Sequence, residues 1–80
     1  MDAIRNNRTI RVSVEWKEGR KGWQESTYAM RYLRAGATRI NGNCPMKGFE
    51  VAHLMGLHLS YPGVVLTAGN RKFKIKGIVE

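Results

Sequence analysis

Three lysines near the C-terminus, Lys72, Lys74 and Lys76, alternate with two apolar residues, Phe73 and Ile75. In an extended strand, successive side chains point to opposite faces, so the three ammonium groups are predicted to lie on one face. At about 3.4 Å per residue, the charges repeat every ~6.8 Å, close to the phosphate repeat of an extended nucleic-acid strand. Lysines at this spacing predict contact with phosphates.

The charge balance of the whole chain indicates the same class of partner. The chain has 14 lysines and arginines against 6 aspartates and glutamates, a formal net charge of +8 at pH 7. Such an excess favours polyanionic partners, with DNA or RNA as the leading candidate. An aromatic side chain beside a basic turn adds a surface on which bases can stack. The predicted contact residues are Lys72, Lys74, Lys76, Arg71, Arg31, Arg34, Arg20, Lys21 and Trp23.

The lysine row also has an explanation that needs no ligand. Lysines on an edge strand protect a sheet from pairing with another chain, although this does not account for the excess charge over the whole sequence. Phosphate binding requires the ammonium groups to share one side of the folded molecule. It also requires that they are not paired with the chain's own carboxylates.

No combination of residues predicts an enzyme, a metal site or a cofactor. Cys44 is the only cysteine, which excludes an intramolecular disulfide and a zinc cluster of cysteines. His53 and His58 would be about 140° apart on a helix and on opposite faces of a strand, so their rings do not converge. The carboxylates are scattered, and no Gly-x-x-x-x-Gly-Lys phosphate loop occurs. We therefore expect a non-enzymatic protein without a cofactor.

The same composition predicts a compartment. A lone cysteine fits a reducing, cytoplasmic setting. No stretch of apolar residues is long enough to span a membrane. An apolar signal sequence is not expected, because charges recur through the N-terminal segment at Asp2, Arg5, Arg8, Arg11, Glu15 and Lys17.

The N-terminal third predicts a strand and a turn. Residues 1–7 form a polar lead-in that we expect to be poorly ordered. From Ile10 to Trp16, apolar and polar residues alternate strictly, which is a strong strand signal. The charged segment 17–22 contains two glycines and is predicted to turn the chain.

The segment after this turn allows two interpretations. Tyr28, Tyr32 and Ala35 recur at helical spacing, and Gly36 is suited to end a helix, so we prefer a main helix over residues 25–35. Alternatively, residues 24–30 return as a strand that pairs with the first strand through the glycine turn.

The remaining elements complete an α+β prediction. Residues 37–40 are compatible with a short strand, and a short second helix is expected from about residue 48 to 55. Residues 64–67 and 72–79 are predicted to form a C-terminal hairpin. Residues 1–80 would then fold as a single small basic domain, with one sheet covered on one face.

Residues 27–42 carry a local resemblance. The order of Thr27, Ala29, Leu33, Gly36 and Asn41-Gly42 resembles the second helix and following turn of the S4 family of RNA-binding domains. The resemblance implies RNA contacts for Arg31, Arg34 and Arg39. The chain departs from that family in having a strand pattern where the family's first helix should lie. It also has Met30 where the family usually has arginine.

These observations lead to one leading function and two alternatives. The leading prediction is a small, non-enzymatic nucleic-acid-binding protein that contacts phosphates through a face of lysines and arginines. The first alternative is a small regulatory or inhibitory protein, of the phage or mobile-element type, that docks on an acidic surface of a larger protein complex. A structural role, such as a homodimer through the edge of the first strand, is the second alternative.

Overall fold

The computed structural model describes residues 9–31 and 37–79, which form one antiparallel sheet and one helix. The strands lie side by side in the order β3-β2-β1-β5-β4. This arrangement agrees with the α+β prediction in its coarse form, although most of the described chain is sheet and the helix lies between two strands. The elements are β1 (Thr9–Glu18), β2 (Gln24–Arg31), β3 (Ala37–Asn41), α1 (Gly48–Ser60), β4 (Val65–Ala68) and β5 (Arg71–Val79).

Strand β1 is the centre of the sheet and confirms the first predicted strand. Its even-numbered residues from Ile10 to Trp16 are buried, as the alternation requires. Antiparallel pairing joins β1 to β2 on one side and to β5 on the other. Trp16 and Phe73 lie directly opposite each other across β1 and β5, and both are in the core.

The preferred helix over residues 25–35 is wrong where the structure describes it, and the alternative strand is confirmed. Residues 24–31 form β2, while residues 32–36 lie outside the described part of the chain. Tyr28 and Met30 point into the core, opposite Val12 and Ile10 of β1. Antiparallel pairing with β1 along its length and the burial of Tyr28 outweigh the helical spacing.

The resemblance to the S4 family fails for the same reason. That resemblance requires a helix followed by a turn in residues 27–42. The described parts of this segment are instead the end of β2 and the whole of β3.

The other predicted elements are present. The short second helix is confirmed as α1, which continues beyond residue 55 to Ser60. Its buried residues Val51, Leu54 and Met55 pack against one face of the sheet. Its N-terminus is capped: the Lys47 amide donates a hydrogen bond to Glu50 Oε1 at 2.8 Å. The predicted strand at residues 37–40 is β3, and the C-terminal hairpin consists of β4 and β5.

The loop between β3 and α1 is held against β2 by buried hydrogen bonds and against β3 by a partly buried one. The Cys44 amide donates to Ser26 Oγ at 3.0 Å, and Arg39 Nη1 donates to the Cys44 carbonyl at 2.8 Å. The Tyr28 hydroxyl lies 2.9 Å from the Met46 carbonyl and 3.2 Å from the Cys44 carbonyl. Burial is the main reason that the pKa of the Tyr28 phenol is raised. This loop carries the chain from the sheet edge to the helix.

Helix α1 covers only one face of the sheet. The opposite face carries the odd-numbered residues of β1 and their neighbours on β2 and β5, and no described helix or strand packs on it. We call this surface the open face. Within the described residues, no helix has the length and apolar character needed to cross a membrane.

Candidate nucleic-acid interface

Side chains on the open face form rows that run across the strands. In one row, Glu25 of β2, Glu15 of β1 and Lys74 of β5 lie in register. The next row toward the turns contains Lys17 and Lys72, which are directly opposite each other. These two rows differ in their charge balance, and that difference locates the candidate site.

The predicted lysine row exists, but two of its three members are paired with carboxylates. Lys74 Nζ lies 3.8 Å from Glu15 Oε1, and Lys76 Nζ lies 3.0 Å from Glu25 Oε1. These pairs neutralise the middle of the open face. The row therefore cannot serve as a uniform ladder of free cations, which was a condition of the sequence-based prediction.

Lys76 lies at an irregularity in β5. Ser13 pairs with Gly77 and Val14 pairs with Ile75, so Lys76 is the extra residue of a β-bulge. Ser13 Oγ also donates to Glu25 Oε2 at 2.8 Å, so both oxygens of this carboxylate are occupied. The pKa of Glu25 is lowered, mainly by the hydrogen bond from Ser13 and also by Lys76. In turn, the Glu25 carboxylate raises the pKa of Lys76.

The row formed by Lys17 and Lys72 is different. Like charges placed directly opposite each other on two strands are unfavourable. Among the described residues, no carboxylate forms an ion pair with either lysine. Here two cations lie directly opposite each other, and neither has a carboxylate partner within the described part of the chain.

Trp23 lies at the border between these two rows. Its indole ring is 41% exposed, and two ammonium groups lie over it. Lys74 Nζ is 4.5 Å from the ring centroid and Lys17 Nζ is 5.5 Å from it. These are cation–π distances, so the ring and the lysines form one cluster.

The β1–β2 turn brings two more predicted residues to the same end of the sheet. Arg20 and Lys21 lie in this turn and are exposed. The Gly19 amide donates to the Asn70 carbonyl at 2.8 Å, which ties the β1–β2 turn to the β4–β5 turn. We define the basic end as the part of the open face and its adjoining turn formed by Lys17, Arg20, Lys21, Trp23 and Lys72.

The remaining predicted residues do not join the basic end. Arg71 has the opposite parity to Lys72, and its Nε lies 3.4 Å from Glu18 Oε1. Arg31 is the last residue of β2, and its side chain is not among those described. Arg34 lies outside the described residues.

Sequence reasoning missed two basic residues of the open face. Lys17 and Arg11 occupy outward positions of β1, because the buried positions of that strand are the even-numbered ones. Both residues have odd numbers, whereas the apolar residues of the strand have even numbers. This alternation alone could have placed both on the open face. Only a known β1–β5 register could have placed Lys17 opposite Lys72.

The other side of the molecule offers a shallow apolar cavity. It has a volume of about 410 Å³ and is lined by Phe49, Glu50, His53 and Leu66. Phe49 is 67% exposed beside it. Within residues 9–31 and 37–79, no group of three or more histidine, cysteine or acidic side chains is arranged to hold a metal ion. The cavity therefore offers mainly apolar contact, from Phe49 and Leu66.

Comparisons with protein-family models, with curated proteins and with solved structures find no match for this chain.

Proposed function

We propose that the protein is a small, non-enzymatic nucleic-acid-binding protein that contacts phosphates of DNA or RNA through the basic end. The observation that carries this proposal is the direct opposition of Lys17 and Lys72 on an uncovered sheet face. Arg20 and Lys21 in the adjoining turn extend the cationic surface. Trp23 supplies an aromatic ring at its border.

The energetics of the opposed lysines favour a bound anion. Two ammonium groups held side by side repel each other in the absence of a ligand. A phosphate placed between them replaces repulsion with two charge-assisted hydrogen bonds. The net charge of +8 adds long-range attraction for any polyanion.

The two paired lysines of the open face are assigned a smaller role. Lys74 and Lys76 already have Glu15 and Glu25 as partners, so a phosphate would compete with a carboxylate for each of them. Their positive charge is largely cancelled at the distance from which a ligand approaches. The proposed contact residues are therefore Lys17, Lys72, Arg20 and Lys21, with Trp23 beside them.

A salt series tests the proposal. If four cations neutralise four phosphates, log Kobs is expected to fall linearly as log salt concentration rises, and the slope should be roughly −3 to −4. Binding of a fluorescent oligonucleotide, followed by anisotropy at increasing salt, measures this slope. No affinity at low salt, or an affinity that does not change with salt, would contradict the proposal.

The alternative is docking on an acidic surface of a larger protein complex, in a regulatory or inhibitory role. It is favoured by the exposed aromatic side chains on the helix side, since Phe49 is 67% and Tyr61 is 70% exposed. Large exposed apolar side chains are more useful to a protein interface than to phosphate binding. Polyglutamate that binds as tightly as an oligonucleotide of equal charge would favour this alternative.

A further inference from the structure

The two tryptophans of the chain have different environments. Trp16 is 6% exposed and lies in the core, whereas Trp23 is 41% exposed and lies on the open face. The exposed ring is large and flat, and it is placed within the cationic cluster described above. A flat apolar ring among cations is the combination that binds a base together with its phosphate.

The shape of the surface favours a single strand over a duplex. A duplex is read by a helix or a ribbon that enters a groove. The one helix within the described residues lies on the other side of the sheet and turns Val51, Leu54 and Met55 toward the core. The β1–β2 turn is bonded through Gly19 to the neighbouring turn, so it does not project alone. A sheet face of this kind offers a platform for unstacked bases.

We infer, resting on the proposed function, that the ligand is single-stranded nucleic acid and that one of its bases stacks on Trp23. In this arrangement Lys17 and Lys72 together hold the phosphate next to the stacked base. Lys74 leaves the indole ring and keeps its ion pair with Glu15, whose Oε1 is 3.8 Å away. Lys17 Nζ, which is 5.5 Å from the ring centroid, turns to the phosphate, so the ring exchanges both ammonium groups for a base.

This exchange favours binding because the two contacts differ in strength. An exposed cation–π contact is weak, since water solvates the ammonium group well. Base stacking on an aromatic side chain is stronger and is independent of base identity. The stacking contact is therefore expected to bring affinity without sequence specificity.

Tryptophan fluorescence tests this inference with three probes: an oligothymidylate, a duplex with the same number of phosphates, and linear polyphosphate. We expect the oligothymidylate to quench the emission and to bind about tenfold more tightly than the duplex. Polyphosphate is expected to bind without quenching, because it has charge but no bases. The quenching is assigned to Trp23, because Trp16 is buried.

Two variants separate stacking from charge. Trp23→Ala is expected to lower the affinity for oligothymidylate about tenfold and to change the affinity for polyphosphate by less than about twofold. Trp23→Phe keeps a ring and should recover most of the loss. If Trp23→Ala does not fold, Trp23→Phe and the unmodified protein still provide the comparison between single strand and duplex.

The outcomes distinguish this inference from the proposed function. Equal affinity for single strand and duplex without quenching would overturn the inference and leave phosphate binding intact. Loss of polyphosphate and oligothymidylate affinity to the same extent in Trp23→Ala would also overturn it. Failure of all three probes to bind would overturn the proposed function itself, and the inference with it.

Discussion

At the scale of single residues, the open face has compensated and uncompensated cations. Glu25 illustrates the first kind, because Ser13 and Lys76 together lower its pKa. A lowered pKa in the folded state means that the contribution of this carboxylate to stability is complete above the ordinary glutamate pKa. That contribution is lost as the pH falls through the lowered value. Lys17 and Lys72 illustrate the second kind, since they face each other with no described carboxylate between them.

The hydroxyl of Tyr28 gives a residue-scale prediction about stability. Tyr28→Phe removes the donor that faces the carbonyls of Met46 and Cys44. The Cys44 carbonyl keeps its bond from Arg39, but the Met46 carbonyl loses its partner in a buried setting. We expect the free energy of unfolding to fall by about 1–3 kcal/mol, measured by urea denaturation.

Tyr61→Phe is the matched control for this substitution. The same hydroxyl group is removed there from a side chain that is 70% exposed. The control should change stability by less than about 0.5 kcal/mol. Equal effects at the two tyrosines would show that the buried hydrogen bonds of Tyr28 are not important.

At the scale of elements, sequence periodicity predicts four of the five described strands directly and gives β2 only as the alternative to a helix. Strand β1 is predictable because its apolar and polar residues alternate strictly. Strand β2 lacks a clear alternation of apolar and polar residues, because its inward-facing residue Ser26 is polar. Its burial is possible only because Ser26 Oγ accepts the Cys44 amide, a partner 18 residues away. Such a long-range hydrogen bond leaves no local signal in the sequence, so the spacing of the tyrosines favours the helix over the strand.

The close contact between the start of helix α1 and strand β3 depends on Gly48. A Cβ atom on Gly48 would overlap the Ala37 carbonyl oxygen and lie 2.7 Å from the Ala37 amide nitrogen. Gly48→Ala should therefore push the helix away from the sheet and lower the unfolding free energy by about 1–3 kcal/mol. Thermal or urea unfolding followed by circular dichroism measures this loss.

Gly22→Ala provides the comparison for this effect. Gly22 lies in the β1–β2 turn, and a Cβ atom there would have nothing within 4 Å. Its backbone also lacks the positive φ that disfavours alanine. Alanine at position 22 should leave stability nearly unchanged, and a loss equal to that of Gly48→Ala would refute a specific close approach.

At the scale of the whole molecule, composition predicts a polyanionic partner, but only the sheet register shows where the candidate site lies. The excess of cations is visible in the sequence. The sequence could also place Lys72, Lys74 and Lys76 on one face. It could not show that Glu15 and Glu25 would lie beside two of them, because these contacts depend on how β1 aligns with β2 and β5. The candidate site is therefore the basic end and not the centre of the lysine row.

Two double variants of equal charge test whether the location of the cations matters. Lys17→Gln with Lys72→Gln removes two cations from the basic end, and Lys74→Gln with Lys76→Gln removes two that are paired with glutamates. Both variants have the same net charge, so long-range attraction for a polyanion falls equally in each. A difference between them reports local contact with phosphates. Removing the opposed lysines should also leave folding intact, because it relieves repulsion.

The most direct measurement is the salt dependence of oligonucleotide affinity for these two double variants and the unmodified protein. We expect the loss of Lys17 and Lys72 to make the slope of log Kobs against log salt concentration shallower by roughly 1.4–1.8. The loss of Lys74 and Lys76 should change that slope by less than about half as much. Equal changes in the two variants, or no change when Lys17 and Lys72 are replaced, would contradict a phosphate-binding site at the basic end.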